Sequence, residues 1–339
     1  MTQQNQVVKE NTADQLMRLG GVLDIHNAAT LSFFGHNMHN GGIAVSPNHD
    51  NQGLVFFTRP SMNLSYNNLL PHRKLHYLLS PLPLSNGRAI RAYLDPWGAK
   101  ADPSVASSMV NNFNPFIPLL DNLLESLSGW PDTVIDTYVS DQGYMREQWG
   151  MVDGTDKIYS SFDLTATFRN IKGDPLIPMF RAWTSYASLV YQGLMAPYPE
   201  HLLNNEIDYQ TRIYRFVLDE SRRYVNNCSC CGAGFPTTLP DASKFDYSRS
   251  DPVQEGAKQL NISFKCFGAM YDDIWVVEAF NRTVASEYIK MDDSLRSNAM
   301  VKVDVRERHI YNYWAYPRVD PQTMEFEWWV DKEIYKKGK

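Results

Sequence analysis

Three cysteines fall within four residues, Cys228, Cys230 and Cys231, and a fourth stands apart at Cys266. Thiolates this close could ligate zinc, but a structural zinc site needs a second pair of the same kind, which is missing. The pattern therefore reads as reduced, half-buried thiols. His26, His36, His39 and His49 cluster with Asp24 and Asp50, and would serve a metal-dependent hydrolase if they converged. Asn and Gly surround them, so they read as solvated turn residues instead. His72 and His76 are four apart and could share a helix face that starts at Pro71, although surface exposure or partial burial accounts for them equally. No Gly-x-Ser-x-Gly elbow occurs, and no cysteine sits beside a plausible base. Gly232-Ala233-Gly234 lacks the basic residue and helix start of a phosphate loop. Asp272-Asp273 and Asp292-Asp293 read as capping acids at helix starts. The expectation is a non-enzyme with no metal site and no cofactor.

Composition narrows the remaining classes. A net charge of −6 argues against a dedicated nucleic-acid binder, which would show a basic excess. The polar stretch Met1 to Glu10 has no secretory apolar core, and no run approaches the roughly 18 apolar residues that span a bilayer. Assembly in a cytoplasm, with no membrane partner, is the expectation. Eight Trp and nineteen Tyr suit surfaces destined for burial against other chains.

The elements that must position these residues change character near residue 150. Before it, Asn, Pro and Gly punctuate short apolar runs. Leu54 to Phe57 predicts a strand ended by Arg59-Pro60, Leu75 to Leu79 a short helix, and Ala89 to Leu94 a strand. Phe116, Leu119, Leu120, Leu123, Leu124 and Leu127 follow helical spacing, with Gly129 as the stop. After residue 150, Phe162, Leu164, Ala166 and Phe168 alternate with polar residues as in a half-buried antiparallel strand over 158–170. Asp174-Pro175 predicts the cap of a helix carrying Leu176, Phe180, Trp183, Ala187, Val190 and Leu194. Strands are expected at 212–218 and 260–270, separated by a loop between Gly232 and Gln259, and a helix from about Asp273 to Ser286. Val301 to Val305 and Ile310 to Tyr316 are strand-like, and Glu325 to Asp331 reads as an edge or interface segment. The order predicts an α+β fold, an antiparallel β-sandwich or barrel with packed helices. Residues 1–150 would form an irregular mixed extension and 151–339 the barrel domain.

Residues 158–170, the helix opening Asp174-Pro175-Leu176-Ile177-Pro178-Met179-Phe180-Arg181-Ala182-Trp183, the strand Tyr209 to Asp219, and Gly234-Phe235-Pro236 leading to Leu260–Cys266 resemble the tail-tube family of contractile-tailed bacteriophages. The resemblance covers roughly residues 155–285 and rests on element order and scattered residues. Plain tube subunits are shorter, so the additional first half points to a tube-initiator or baseplate-hub component.

The resemblance implies a virion structural protein that forms a six-fold ring with itself and meets neighbouring tail-tube or baseplate proteins. Phage DNA would pass through the ring without specific binding. The strands 158–170 and 260–270 would line the inner wall, their edges completed by neighbouring copies. Interface candidates are Phe162, Leu164, Phe168, Trp183, Arg212, Arg215, Ile262 and Phe264. Arg212, Arg215, Arg222, Arg223 and Lys265 are open to two readings, cross-strand pairing or positioning of neighbours in the ring. A different class, a receptor- or glycan-binding tail-tip module, would use Trp314, Trp328 and Trp329 as exposed platforms.

Overall fold

The computed structural model describes residues 51–154, 160–241, 245, 249, 258–304, 306–311 and 314–338. Strand β1 (Asn51–Phe57) leads to α1 (Tyr66–Leu69), a 3-10 helix at Arg73–Leu79, α2 (Asn86–Leu94), α3 (Pro96–Ala101) and α4 (Pro118–Leu123). Next come β2 (Leu124–Ser128), β3 (Thr137–Val139), β4 (Gly150–Val152) and β5 (Ser161–Arg169), then α5 (Leu176–Tyr191) and α6 (Pro199–Asn204). Strands β6 (Thr211–Leu218), β7 (Val225–Pro236) and β8 (Gln259–Tyr271) precede α7 (Ile274–Glu287) and α8 (Asp293–Ala299). Strands β9 (Met300–Val303), β10 (Tyr316–Val319) and β11 (Phe326–Asp331) follow, with α9 (Lys332–Gly338) after them. Among the described residues no helix is long and apolar enough to cross a membrane.

The alternation of residues 161–169 has the expected consequence. Phe162, Leu164, Ala166 and Phe168 are buried while Ser161, Asp163, Thr165 and Arg169 are exposed. Their strand belongs to a six-stranded sheet ordered β1-β6-β7-β8-β5-β2, in which every neighbouring pair is antiparallel. Helix α5 lays Leu176, Met179, Phe180, Trp183 and Tyr186 on one face of this sheet. Phe180 stands 5.6 Å from Phe168 and 6.0 Å from Phe264 between ring centroids, and the Trp183 indole donates to the Tyr209 carbonyl at 2.7 Å. The opposite face, over β1, β6 and β7, holds a second core. There Phe280 of α7 meets Phe56, Tyr214, Phe216 and Phe326 at centroid distances of 4.8 to 6.3 Å. A three-stranded sheet, β10-β11-β9, contributes to this second core. The fold is α+β, built on antiparallel sheet with packed helices.

Several local expectations are corrected. Residues 89–94 are not a strand but part of α2. Ser85 Oγ accepts from Arg88 N at 3.2 Å, and the buried Arg91 donates to the Leu64 carbonyl at 2.8 Å. The leucine run does not continue as one helix. Helix α4 ends at Leu123, and Leu124 and Leu127 pair as β2 with Phe168 and Ala166 of β5. Gly129 still ends the run, but as a strand stop. It sits at φ +105, and a Cβ there would lie 2.2 Å from the Asp163 carbonyl oxygen. Asp174 does not cap α5. The N-cap is Pro175, with no side-chain bond, and Asp174 accepts from the Asn170 side-chain amide. The expected loop from Gly232 begins only after Pro236, because Gly232 to Pro236 complete β7. Gly234 lets that strand pass Cys266, whose Sγ would be 2.9 Å from an added Cβ.

Residues 325–331 are not an edge. Strand β11 is central in its sheet, and its charges are paired internally. Glu327 meets Lys302 at 3.0 Å and Arg318 at 3.1 Å, and Asp331 meets Lys290 and the Tyr288 hydroxyl. Val301 to Val303 is a strand as expected, whereas the described residues 308–310 form a 3-10 turn before β10. The large sheet draws on both sides of residue 150, since β1 and β2 supply its two outer strands.

Candidate assembly interface

Among the described residues the candidate catalytic and metal-binding side chains are not brought together. His26, His36, His39, His49, Asp24 and Asp50 lie outside the described residues. His72 and His76 turn to separate backbone carbonyls, Leu194 at 3.3 Å and Leu70 at 2.8 Å. All four cysteines are free and fully buried, deeper than the half-burial expected of them. Burial pushes the Cys228 thiol up to about 12. A hydrogen bond between Cys231 and Cys266 holds the Cys266 thiol high and the Cys231 thiol low. Among the described residues no group of three or more His, Cys, Asp or Glu could hold a metal ion. Asp273 and Asp292 cap α7 and α8 through Trp275 N at 3.0 Å and Ser294 N at 3.0 Å, and Asp272 accepts from Cys228 N at 2.8 Å.

The interface candidates divide into two groups. Phe162, Leu164, Phe168, Trp183, Ile262 and Phe264 are buried in the chain's own core, because the apolar face of each strand is covered by α5 and the segments around it. Arg212 is exposed, and the half-buried Arg215 donates to the Phe216 carbonyl at 2.7 Å. The strands 158–170 and 260–270 are not edges awaiting a neighbour either. Within the described range, β5 lies between β8 and β2, and β8 between β7 and β5. Their outward face is mostly polar, with Phe267 exposed at the end of β8. Asp163, Thr165 and Asn261 are exposed there, with Lys265 paired to Asp163 at 3.2 Å. Of the three tryptophans expected as platforms, Trp328 is buried beneath the Arg308 guanidinium. Trp329 is half-buried and donates to Glu327 at 2.9 Å. Trp314 alone is exposed.

Among the described residues the edges of the sheet are β1 and β2, and both line a cavity of about 640 Å³ with Leu54, Phe56, Asp121, Leu124 and Leu127. The β1 edge is closed by its own chain. Asp121 Oδ1 accepts from Phe57 N at 2.9 Å, Ile117 N donates to the Phe57 carbonyl at 2.9 Å, and Thr58 bridges Phe116. Desolvation raises the Asp121 carboxyl well above the usual range, opposed only by the Phe57 N–H. The edge acid is thus structural, satisfying a donor that would otherwise be an open ladder position.

A feature absent from the sequence reading is the hairpin of β3 and β4. Thr137, Tyr138 and Val139 pair with Val152, Met151 and Gly150, and residues 132–154 are exposed apart from the half-buried Ser140. Tyr138 and Trp149 meet edge to face at 5.8 Å, and the tip closes with Gly143 N donating to the Glu147 carbonyl at 2.9 Å. Val134, Tyr138, Tyr144, Met145, Trp149 and Met151 are all exposed on it. A two-stranded hairpin is marginal in water without a partner, and an apolar patch of this kind marks an interaction site. The available signal was two short strand-forming runs flanking Asp141-Gln142-Gly143.

A family model described as "Putative phage tail tube protein" matches residues 4–338 of this chain. Comparison with curated proteins returned no match. Among solved structures, the anti-feeding prophage cap, a tube terminating cap, is similar at 15% identity over 46% of this chain and 81% of that one, with a TM-score of 0.28. The sheath/tube terminator of the PVC extracellular contractile injection system in its extended state is similar at 12% identity, covering 46% of this chain and 86% of that one, TM-score 0.26. A chain of the PVC sheath-tube complex in its extended state is similar at 12% identity, covering 49% and 93%, TM-score 0.25.

Proposed function

Because the chain belongs to the phage tail tube protein family, as its match over residues 4–338 establishes, we propose that it is a ring-forming structural subunit of a contractile phage tail, of tube-initiator or baseplate-hub type. The observation that carries the reading is the hairpin 132–154, whose apolar side chains are exposed in the manner of a surface meant for a partner. The mostly polar outward face of β5 and β8 supports a wall that DNA passes without sticking. Asp163 and Lys265 neutralise each other there, and Thr165 and Asn261 carry no charge, which leaves Arg169 as the exposed cation of β5 on this face. The helical excursion of residues 58–123 between β1 and β2 supports a role more specialised than a repeating tube unit. In this reading the protein resides in the virion, six copies surround a channel, and neighbouring tube or baseplate proteins contact the ring.

A cryo-EM map of the native particle tests this. Six copies around a channel, with the outward face of β5 and β8 toward the lumen, is the expected result. Three copies, or that face turned to the outside of the ring, would overturn it. Duplex DNA should bind weakly and lose its affinity with modest salt, since phosphate binding comes largely from counterion release.

A further inference from the structure

We infer that the cavity lined by β1 and β2 is a binding site for a small amphiphilic anion, a carboxylate or phosphate head carried on an apolar body. The inference goes beyond the tail-subunit reading above and does not depend on it.

The cavity has the size of a ligand site and both kinds of lining that one needs. At about 640 Å³ it falls within the range that encloses a small molecule. Its lining comes from β1, α4, β2, β6 and the three-stranded sheet. Leu54, Phe56, Phe116, Leu124 and Leu127 form apolar walls, and two arginines bring charge, Arg215 of β6 and Arg308 of the 3-10 turn.

Those two cations are withdrawn from water without an acid to meet them. Both are half-buried, and desolvation lowers the pKa of each with no carboxylate opposing it. The Arg308 guanidinium stands 3.8 Å from the Trp328 ring centroid, and its side chain makes no hydrogen bond among the described residues. Arg215 Nη1 donates to the Phe216 carbonyl at 2.7 Å, which leaves its other N–H groups to be satisfied. Arg318 shows the usual alternative, since it meets Glu327 at 3.1 Å and Asp293 at 3.3 Å.

The acids in the cavity lining do not take that role. Asp121 Oδ1 is committed to Phe57 N, and desolvation holds its carboxyl toward the neutral form. Glu125 is exposed and accepts from Gln259 Nε2 at 2.7 Å. A desolvated charge costs free energy until an opposite charge offsets it. The guanidinium fork matches the oxygens of a carboxylate or a phosphate. The apolar walls add a second requirement, because a bare inorganic ion would leave them uncovered. An anionic head on an apolar body meets both requirements.

Titration calorimetry on the full chain tests this, with decanoate, decyl phosphate, decanol and inorganic phosphate as probes. Each amphiphile is kept below the concentration at which it aggregates. Decanoate or decyl phosphate should bind as one molecule per chain, about 10-fold or more tighter than decanol or inorganic phosphate. Whichever of the two binds tighter identifies the head group. Arg308→Gln and Arg215→Gln should each weaken that binding about 10-fold or more and leave decanol unchanged. Thermal melts report folding separately, and the anion should raise the melting temperature of the parent more than that of either variant. Arg308→Gln also uncovers Trp328. If that variant melts early, Arg215→Gln carries the test. Decanol or inorganic phosphate binding as tightly as the anionic amphiphiles overturns the inference. So does uptake of several molecules per chain, anion affinity unchanged in a folded variant, or no binding of any probe. None of these outcomes bears on the six-fold ring, which the cryo-EM map tests by itself.

Discussion

Two antiparallel pairs in this chain obey the same backbone rules and stand in opposite environments. In β5 and β8, nine residues of each strand pair in continuous register, and the apolar side of the ladder is sealed beneath α5. In β3 and β4, three pairs hold a hairpin whose residues are exposed on both faces. The first pair satisfies its apolar residues within the chain, so its outward face is free to be polar. The second leaves aromatic and aliphatic side chains to be covered from outside. Apolar content alone therefore does not separate a core from a docking element. What separates them is whether the chain itself provides a layer to pack against.

The largest effect should come from opening the sealed pair. Phe264 is buried between Phe57 at 5.7 Å and Phe180 at 6.0 Å. Phe264→Ala should cost about 3–5 kcal/mol in a denaturant melt, through lost burial and the cavity left behind. A loss below about 1 kcal/mol would show that this wall does not depend on its own chain for packing.

A smaller effect is expected at the edge that closes inside the chain. Asp121 has its pKa raised in the folded state by desolvation, so the folded protein holds a proton that the unfolded chain has released. Stability from this group therefore falls as pH rises from the unfolded pKa toward the folded one, and recovers on acidification. Asp121→Asn keeps an acceptor for Phe57 N without the charge. It should be more stable than the parent at neutral pH by on the order of 1 kcal/mol. Asp331 is opposite in sign. Desolvation raises its pKa, but the Lys290 and Glu333 N–H contacts outweigh this and hold it low, so its contribution is lost as pH falls through the folded value. Thermal melts from pH 4 to 8 on parent and Asp121→Asn isolate the first group. A stability difference that grows on acidification would contradict the assignment.

The smallest change in monomer stability belongs to the hairpin. Trp149→Ala removes an exposed ring whose described ring contact is with Tyr138 in the same hairpin. Melting of the isolated chain should shift by no more than about 0.5 kcal/mol. Incorporation into particles, read by gel densitometry, should nevertheless fall sharply, because large aromatics at interfaces carry much of the binding. Unchanged incorporation would place the hairpin's partner elsewhere or remove it.

Much of the sheet was legible in the sequence because its signals are local. Period-two alternation at 161–169 and 259–266 forces one face inward whatever the partner is, and the helix 274–287 announces itself by its Asp273 cap and apolar stripe. The tail-tube resemblance rested on that same order of elements, and the family match extends it to residues 4–338. The candidate residues read from the alternation were core residues, since an apolar strand face looks the same whether its cover is its own helix or another subunit. Only the tertiary structure decided between these. It also turned 89–94 into a helix, divided the leucine run into α4 and β2, and drew the glycine-rich end of β7 into the sheet. In each case the local pattern fits two conformations of similar energy, and long-range contacts choose between them: Arg91 to Leu64, Leu124 to Phe168, Gly234 against Cys266. The sequence by itself determined which residues need burial, because hydrophobicity and periodicity are local properties. The tertiary structure alone decided what buries them, because that depends on which distant segment arrives to provide the opposing surface.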